Sequence, residues 1–156
     1  MARFQALAAV GLLFASPALA ADPAAEAFVR ELYRPYAESD AAPGRDVAEL
    51  RRLFTPSTAA LIVRDRRQAA ARNEAPALNG DPLVDSQEWT PTPIDLAVED
   101  GRTPGTARAR ASYTVPAGRE RRAVELDLVR TRAGWRVADI RWAGEPKSLR
   151  QLLTRR

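Results

Sequence analysis

Residues 94–142 read IDLAVEDGRTPGTARARASYTVPAGRERRAVELDLVRTRAGWRVADIRW, and the apolar positions in this stretch recur every second residue. Ile94, Leu96 and Val98 alternate with Asp95, Ala97 and Glu99. Ala107, Ala109, Ala111, Tyr113 and Val115 alternate with Arg108, Arg110, Ser112 and Thr114, and Val124, Leu126 and Leu128 alternate with Glu125 and Asp127. Successive side chains on a strand point to opposite faces, so this period predicts half-buried strands. Asp100-Gly101, Pro116-Ala117-Gly118 and Arg132-Ala133-Gly134 supply the turns, which makes four strands in an antiparallel meander. In the last strand Trp135 and Val137 share one face while Ile140 and Trp142 share the other. A bulge near Ala138-Asp139 reconciles the two halves, as does burial of both faces.

Upstream of Pro93 the period is helical. Asp22-Pro23 is a cap followed by proline at the first helical position, and Phe28, Val29, Leu32, Tyr33 and Tyr36 then fall on one face. Pro35 is expected to end or kink this helix in its last turn. A short helix from about Asp46 to Phe54 places Val47, Leu50 and Phe54 on one side. Thr55-Pro56 restarts a helix with Leu61 and Ile62 on its apolar side, and Arg64-Asp65-Arg66-Arg67 is expected to face water. Residues 73–93, punctuated by Pro76, Gly80, Pro82, Pro91 and Pro93, read as a connector with at most one helical turn after Asp81-Pro82, forming one wall of any cleft. Ser148 caps a short closing helix with Leu149, Leu152 and Leu153, and Arg155-Arg156 suit its negative end. Helices followed by strands predict an α+β domain, with N-terminal helices packed on a curved antiparallel sheet of about four strands.

The first twenty residues read as a secretory signal. Arg3 supplies the positive charge, residues 4–14 the apolar run, and Ala18-Leu19-Ala20 a small-x-small cleavage site. The mature chain is then one domain, residues 21–156, in the periplasm or secreted, and no second apolar run is long enough to span a bilayer.

The 156 residues include no Cys and no His. That excludes disulfides, thiolate or imidazole metal sites, and any mechanism resting on a Cys nucleophile or a His base. Basic residues number 24 against 20 acids, and all but one of them are Arg. The Arg-rich patches at 64–72 and 119–122 are interrupted by acids and lack interleaved aromatics, so they do not resemble a nucleic-acid surface. They read as solvated faces, with a weak anionic-surface contact as the other use open to a pI near 10.3. The glycines at 101 and 105 precede a strand rather than a helix, and the acids do not follow a calcium-loop spacing. No cofactor and no metal is expected.

Phe28-Val29-Arg30-Glu31-Leu32-Tyr33, Asp81-Pro82-Leu83-Val84-Asp85-Ser86-Gln87-Glu88-Trp89 and the strand from Gly134 to Trp142 together resemble a family of small exported proteobacterial proteins. Those proteins have a nuclear-transport-factor-two-like, cystatin-like fold. Glu88 departs conservatively from an Asp frequent at that place. The resemblance implies a cone-shaped fold and export, and it carries no activity.

Two groups of residues could form a site. Asp81, Asp85, Gln87 and Trp89 lie on an irregular segment, where they either rim a pocket or serve as turn caps, amide partners and core. Tyr33, Tyr36, Asp139 and Trp142 could converge inside a cone, with a desolvated Asp as base and a tyrosine hydroxyl as donor. Asp127, opposite the apolar face of its strand, reads as solvent-facing. The shortage of catalytic residue types favours a non-catalytic binding protein whose partner is an envelope protein or a small ligand. Two other readings stay open. One is an isomerase- or dehydratase-like enzyme using Asp139 with Tyr33 or Tyr36, and the other is an immunity or inhibitor protein against a secreted toxin.

Overall fold

The computed structural model describes residues 21–39, 46–115 and 120–154. Residues 1–20, expected to be a signal, part of the expected loop before Asp46, the expected turn at Pro116-Ala117-Gly118 and Arg155-Arg156 lie outside the described residues. The element order is α1 (Pro23–Glu38), α2 (Val47–Leu53), α3 (Pro56–Arg72), β1 (Asp95–Asp100), β2 (Thr106–Thr114), β3 (Arg121–Thr131), β4 (Gly134–Trp142) and α4 (Leu149–Thr154). The expected α+β architecture is therefore observed, with one four-stranded antiparallel sheet in the order β1-β2-β3-β4.

Local chemistry starts each helix. The Asp22 carboxylate accepts the Ala24 N–H at 2.8 Å, Asp46 accepts from Glu49 at 2.7 Å, and Thr55 accepts from Thr58 at 3.4 Å. At α4 the cap is reciprocal: the Gln151 side chain accepts the Ser148 N–H at 2.9 Å while the Ser148 hydroxyl accepts the Gln151 N–H at 3.3 Å. α1 ends at Glu38, so Pro35 falls in its last turn, as expected. Proline lacks only its own N–H, and its carbonyl still receives the Ser39 N–H at 2.9 Å. Val47 stays 43% exposed, whereas Leu50 and Phe54 of the same stretch are buried. The charged part of α3 is not wholly solvated. Asp65 receives the N–H groups of Ala77 and Leu78 at 3.1 Å each, and Arg64 donates to the Leu153 carbonyl at 2.8 Å.

One face of the sheet carries Ala107, Ala109, Ala111 and Tyr113, then Val124, Leu126 and Leu128, then Trp135, Val137, Ile140 and Trp142. These pack with Val29, Leu32, Tyr33 and Tyr36 of α1 in a single core. Both pairs on β4 reach that face because of a bulge. Asp127 pairs with Asp139 and Leu128 with Val137, which leaves Ala138 as the extra residue. The Ala138 carbonyl accepts the hydroxyl of the fully buried Thr58 at 2.6 Å, and Thr58 accepts from Arg150 of α4 at 2.8 Å. Beside it, the Asp139 carboxylate takes the N–H groups of Ile140 and Arg150. The bulge therefore joins α3 and α4 to the sheet. On the opposite face Arg110 pairs with Glu125 at 2.7 Å, and Arg141 and Arg108 pair with Asp127 at 2.7 and 3.7 Å.

Replacing Thr58 by the isosteric Val removes the donor to Ala138 and the acceptor for Arg150. We expect a loss of about 1–3 kcal/mol in urea unfolding. An unchanged midpoint would show that the bulge carbonyl has another donor.

Candidate functional site

The segment between α3 and β1 is held by its own backbone first. Asp81 and Ser86 form an isolated antiparallel bridge, with the Asp81 N–H donating to the Ser86 carbonyl at 2.8 Å, and the Asp81 carboxylate accepts the Leu83 N–H at 2.9 Å. No helical turn follows Asp81-Pro82; residues 82–85 are a turn closed by that bridge. Glycine is required at position 80, where a Cβ would stand 3.0 Å from the Ser86 carbonyl oxygen. Asp85 takes the left-handed region at φ 44°, which Asp tolerates because its short polar side chain adds little strain there.

The turn enters the core. Leu83 and Val84 are fully buried between α1 and β2, so their carbonyls cannot be left to water. Four side chains from four elements take the four successive carbonyls. Trp142 Nε1 of β4 donates to Pro82 at 2.9 Å, the Tyr33 hydroxyl of α1 donates to Leu83 at 2.9 Å, the Tyr113 hydroxyl of β2 donates to Val84, and Arg122 Nη1 of β3 donates to Asp85 at 3.0 Å. The Tyr36 hydroxyl donates to the Asp81 carboxylate at 2.6 Å, and Trp89 Nε1 donates to the Tyr36 carbonyl at 2.7 Å. The Trp89 ring stands edge-on to Tyr36 at 5.6 Å and to Tyr113 at 5.0 Å between ring centres.

Tyr33, Tyr36, Asp81, Trp89 and Trp142 are thus brought together, and each is bonded within the brace. Asp85 and Gln87 lie exposed on its outer side. Asp139 is elsewhere, accepting the N–H groups of Ile140 in β4 and Arg150 in α4, and among the described residues it bonds to no tyrosine hydroxyl. Sequence reasoning did not select Tyr113 and Arg122. The strand alternation did point Tyr113 inward, where a phenol needs an acceptor.

Burial, then the charge of Asp81, raises the Tyr33 hydroxyl well above the usual tyrosine range. Tyr113 is pushed up to about 12, chiefly by burial. Both therefore stay protonated donors at neutral pH. Partial desolvation also raises the Asp85 carboxyl; Arg122 opposes this, and the Glu145 and Glu120 carboxylates add to it. The segment stands as a ridge between two clefts. One, of about 300 Å³, has Leu50, Phe54, Ile62 and Leu83 in its lining; the other, of about 430 Å³, lies against Trp142, Glu145 and Leu152. Among the described residues no group of three or more acids could hold a metal ion.

No protein-family model matches the chain, and no curated protein matches it in sequence. Among solved structures, a chain of the type VI native effector–immunity complex Tae3–Tai3 from Ralstonia pickettii aligns with a TM-score of 0.55 at 18% identity. The alignment covers 78% of this chain and 97% of that one, and it shows a shared fold.

Two outcomes test the brace. In a double-mutant cycle, Tyr36→Phe and Asp81→Ala should couple by about 1 kcal/mol or more, because the hydrogen bond has a charged acceptor; additive losses would place the two residues in separate roles. The second concerns pH. The folded state holds the Tyr113 proton up to about 12 against an ordinary value of 10.0, so its contribution is full below pH 10.0 and is lost as pH rises toward about 12. Melting temperature should fall across that window, less steeply in Tyr113→Phe.

Proposed function

We propose that this protein is the immunity member of a secreted effector–immunity pair: an exported protein that recognises a toxin protein and holds it inactive, without a catalytic step of its own. The observation that carries this reading is the pinned turn. Every tyrosine and tryptophan hydrogen-bond donor at the candidate site is spent on holding residues 81–89 in place, which leaves a rigid surface ridge instead of a paired acid and base. A surface ordered before contact loses little conformational entropy on binding, which suits tight recognition of another protein.

Two further facts support it. The fold is shared with a chain from a complex whose two members are an effector and its immunity protein. A chain with neither Cys nor His cannot use a thiolate or imidazole in hydrolysis, so the inhibitor half of such a pair fits this sequence better than the toxin half. The signal-like residues 1–20 support export of a mature domain, residues 21–156, to the periplasm, where it would meet a delivered toxin. No helix among the described residues is long and apolar enough to cross a membrane.

The test is co-expression in a bacterial host with the effector encoded beside its gene, directed to the periplasm. The full chain should restore growth and copurify with the effector in a fixed ratio, and a version lacking residues 1–20 should not protect. Continued killing, with the two proteins eluting separately, would overturn the proposal.

A further inference from the structure

The cleft on the α4 side of the ridge differs from its surroundings in charge. From residue 73 to residue 101 the chain carries seven carboxylates and no Lys or Arg, in a protein whose formal net charge is +4. The ridge belongs to that stretch. Asp81, Asp85 and Glu145 line the 430 Å³ cleft against a single cation, Lys147, and Pro82, Trp142 and Leu152 contribute apolar lining. No ion pair among the described residues holds Asp85, Glu88 or Glu145, whereas the acids on the outer face of the sheet, Glu125 and Asp127, are matched by Arg110 and Arg141. Arg122 approaches Asp85 through its carbonyl oxygen, and its other nitrogen pairs with Glu120.

We infer that this cleft is the docking groove for a segment of the partner protein that carries an Arg or Lys between apolar residues, the cation lying between Asp85 and Glu145 and the apolar neighbours resting on Trp142 and Leu152. The inference rests on the protein-partner reading above and deepens it by naming the surface and its complement. Charge complementarity selects the occupant. A second copy of this groove would set carboxylate against carboxylate, and an acidic segment would add negative charge to a lining in which Asp81, Asp85 and Glu145 outnumber Lys147. The pinned carbonyls matter here as well, since they fix the Asp85 rim before the partner arrives. The Asp85 carboxyl, raised first by desolvation and further by Glu145 and Glu120 against the pull of Arg122, predicts weaker docking as pH falls.

Two probes test the groove. The first is the purified full-length effector encoded beside the gene, titrated against the mature protein. Asp85→Asn, which keeps a side chain tolerant of the left-handed backbone, combined with Glu145→Gln should weaken binding about tenfold or more and flatten its salt dependence. Asp95→Asn with Glu99→Gln, on β1, should change it less than about threefold. Binding by wild type that the groove variants leave intact would overturn the groove and spare the immunity reading. The second probe needs no effector: a capped Leu-Arg-Leu peptide, followed through the Trp142 indole N–H resonance. It should give a saturable shift that is lost in the double variant and absent with Leu-Glu-Leu. Equal shifts from both peptides, or none from either, would overturn the groove even if the effector binds elsewhere. A positive peptide result without effector binding would keep the groove and remove the immunity reading.

Discussion

The structure depends on one constraint: a turn of irregular backbone, residues 82–85, is pushed into the core between α1 and the sheet, and its carbonyls must find donors there. A buried acceptor without a partner costs about 1–3 kcal/mol, so the three in succession at Pro82, Leu83 and Val84 would consume much of the stability of a domain this size. The fold meets the demand with donors from α1, β2, β3 and β4. Those bonds in turn fix where α1 sits on the sheet. The exposed ion pairs on the outer face, worth about 0–1 kcal/mol each, cannot have a comparable say in the architecture.

The second joint obeys the same rule. The bulge at Ala138 frees a carbonyl from the ladder, and buried Thr58 takes it, while Asp139 receives the Arg150 N–H of the closing helix. Asp139 was attractive as a base because it sits where the alternation of β4 slips. The slip is real, but its use is mechanical: it turns Ile140 and Trp142 inward and lets one carboxylate start a helix. Tyr33 and Tyr36 were attractive as donors, and they are donors, to the protein itself. Tyr33, Tyr36 and Asp139 are therefore occupied within the domain as braces.

Strands, caps and the main apolar stripe were legible in the sequence because they follow from neighbours a few residues apart. Period-two alternation placed all four strands, Asp22-Pro23 and Thr55-Pro56 marked two helix starts, and Ser148 marked a third. Pro35 marked the last turn of the first helix, which ends at Glu38. Val47 was misjudged because the position of a short helix is set by the body it docks on. At the candidate site, the residue types in 81–89 were recognised, but their partners were not: Tyr113 lies 29 positions from Val84, and Trp142 lies 60 from Pro82.

The sequence by itself determined the elements, the α+β order, the absence of Cys and His chemistry and the acidic character of residues 73–101. All of these are properties of local pattern or of composition. Only the tertiary structure decided that the tyrosines and tryptophans brace a turn, and that Asp85 and Glu145 line one cleft. A hydrogen bond between distant residues is chosen by which carbonyls the packed chain buries, and local sequence does not encode that burial.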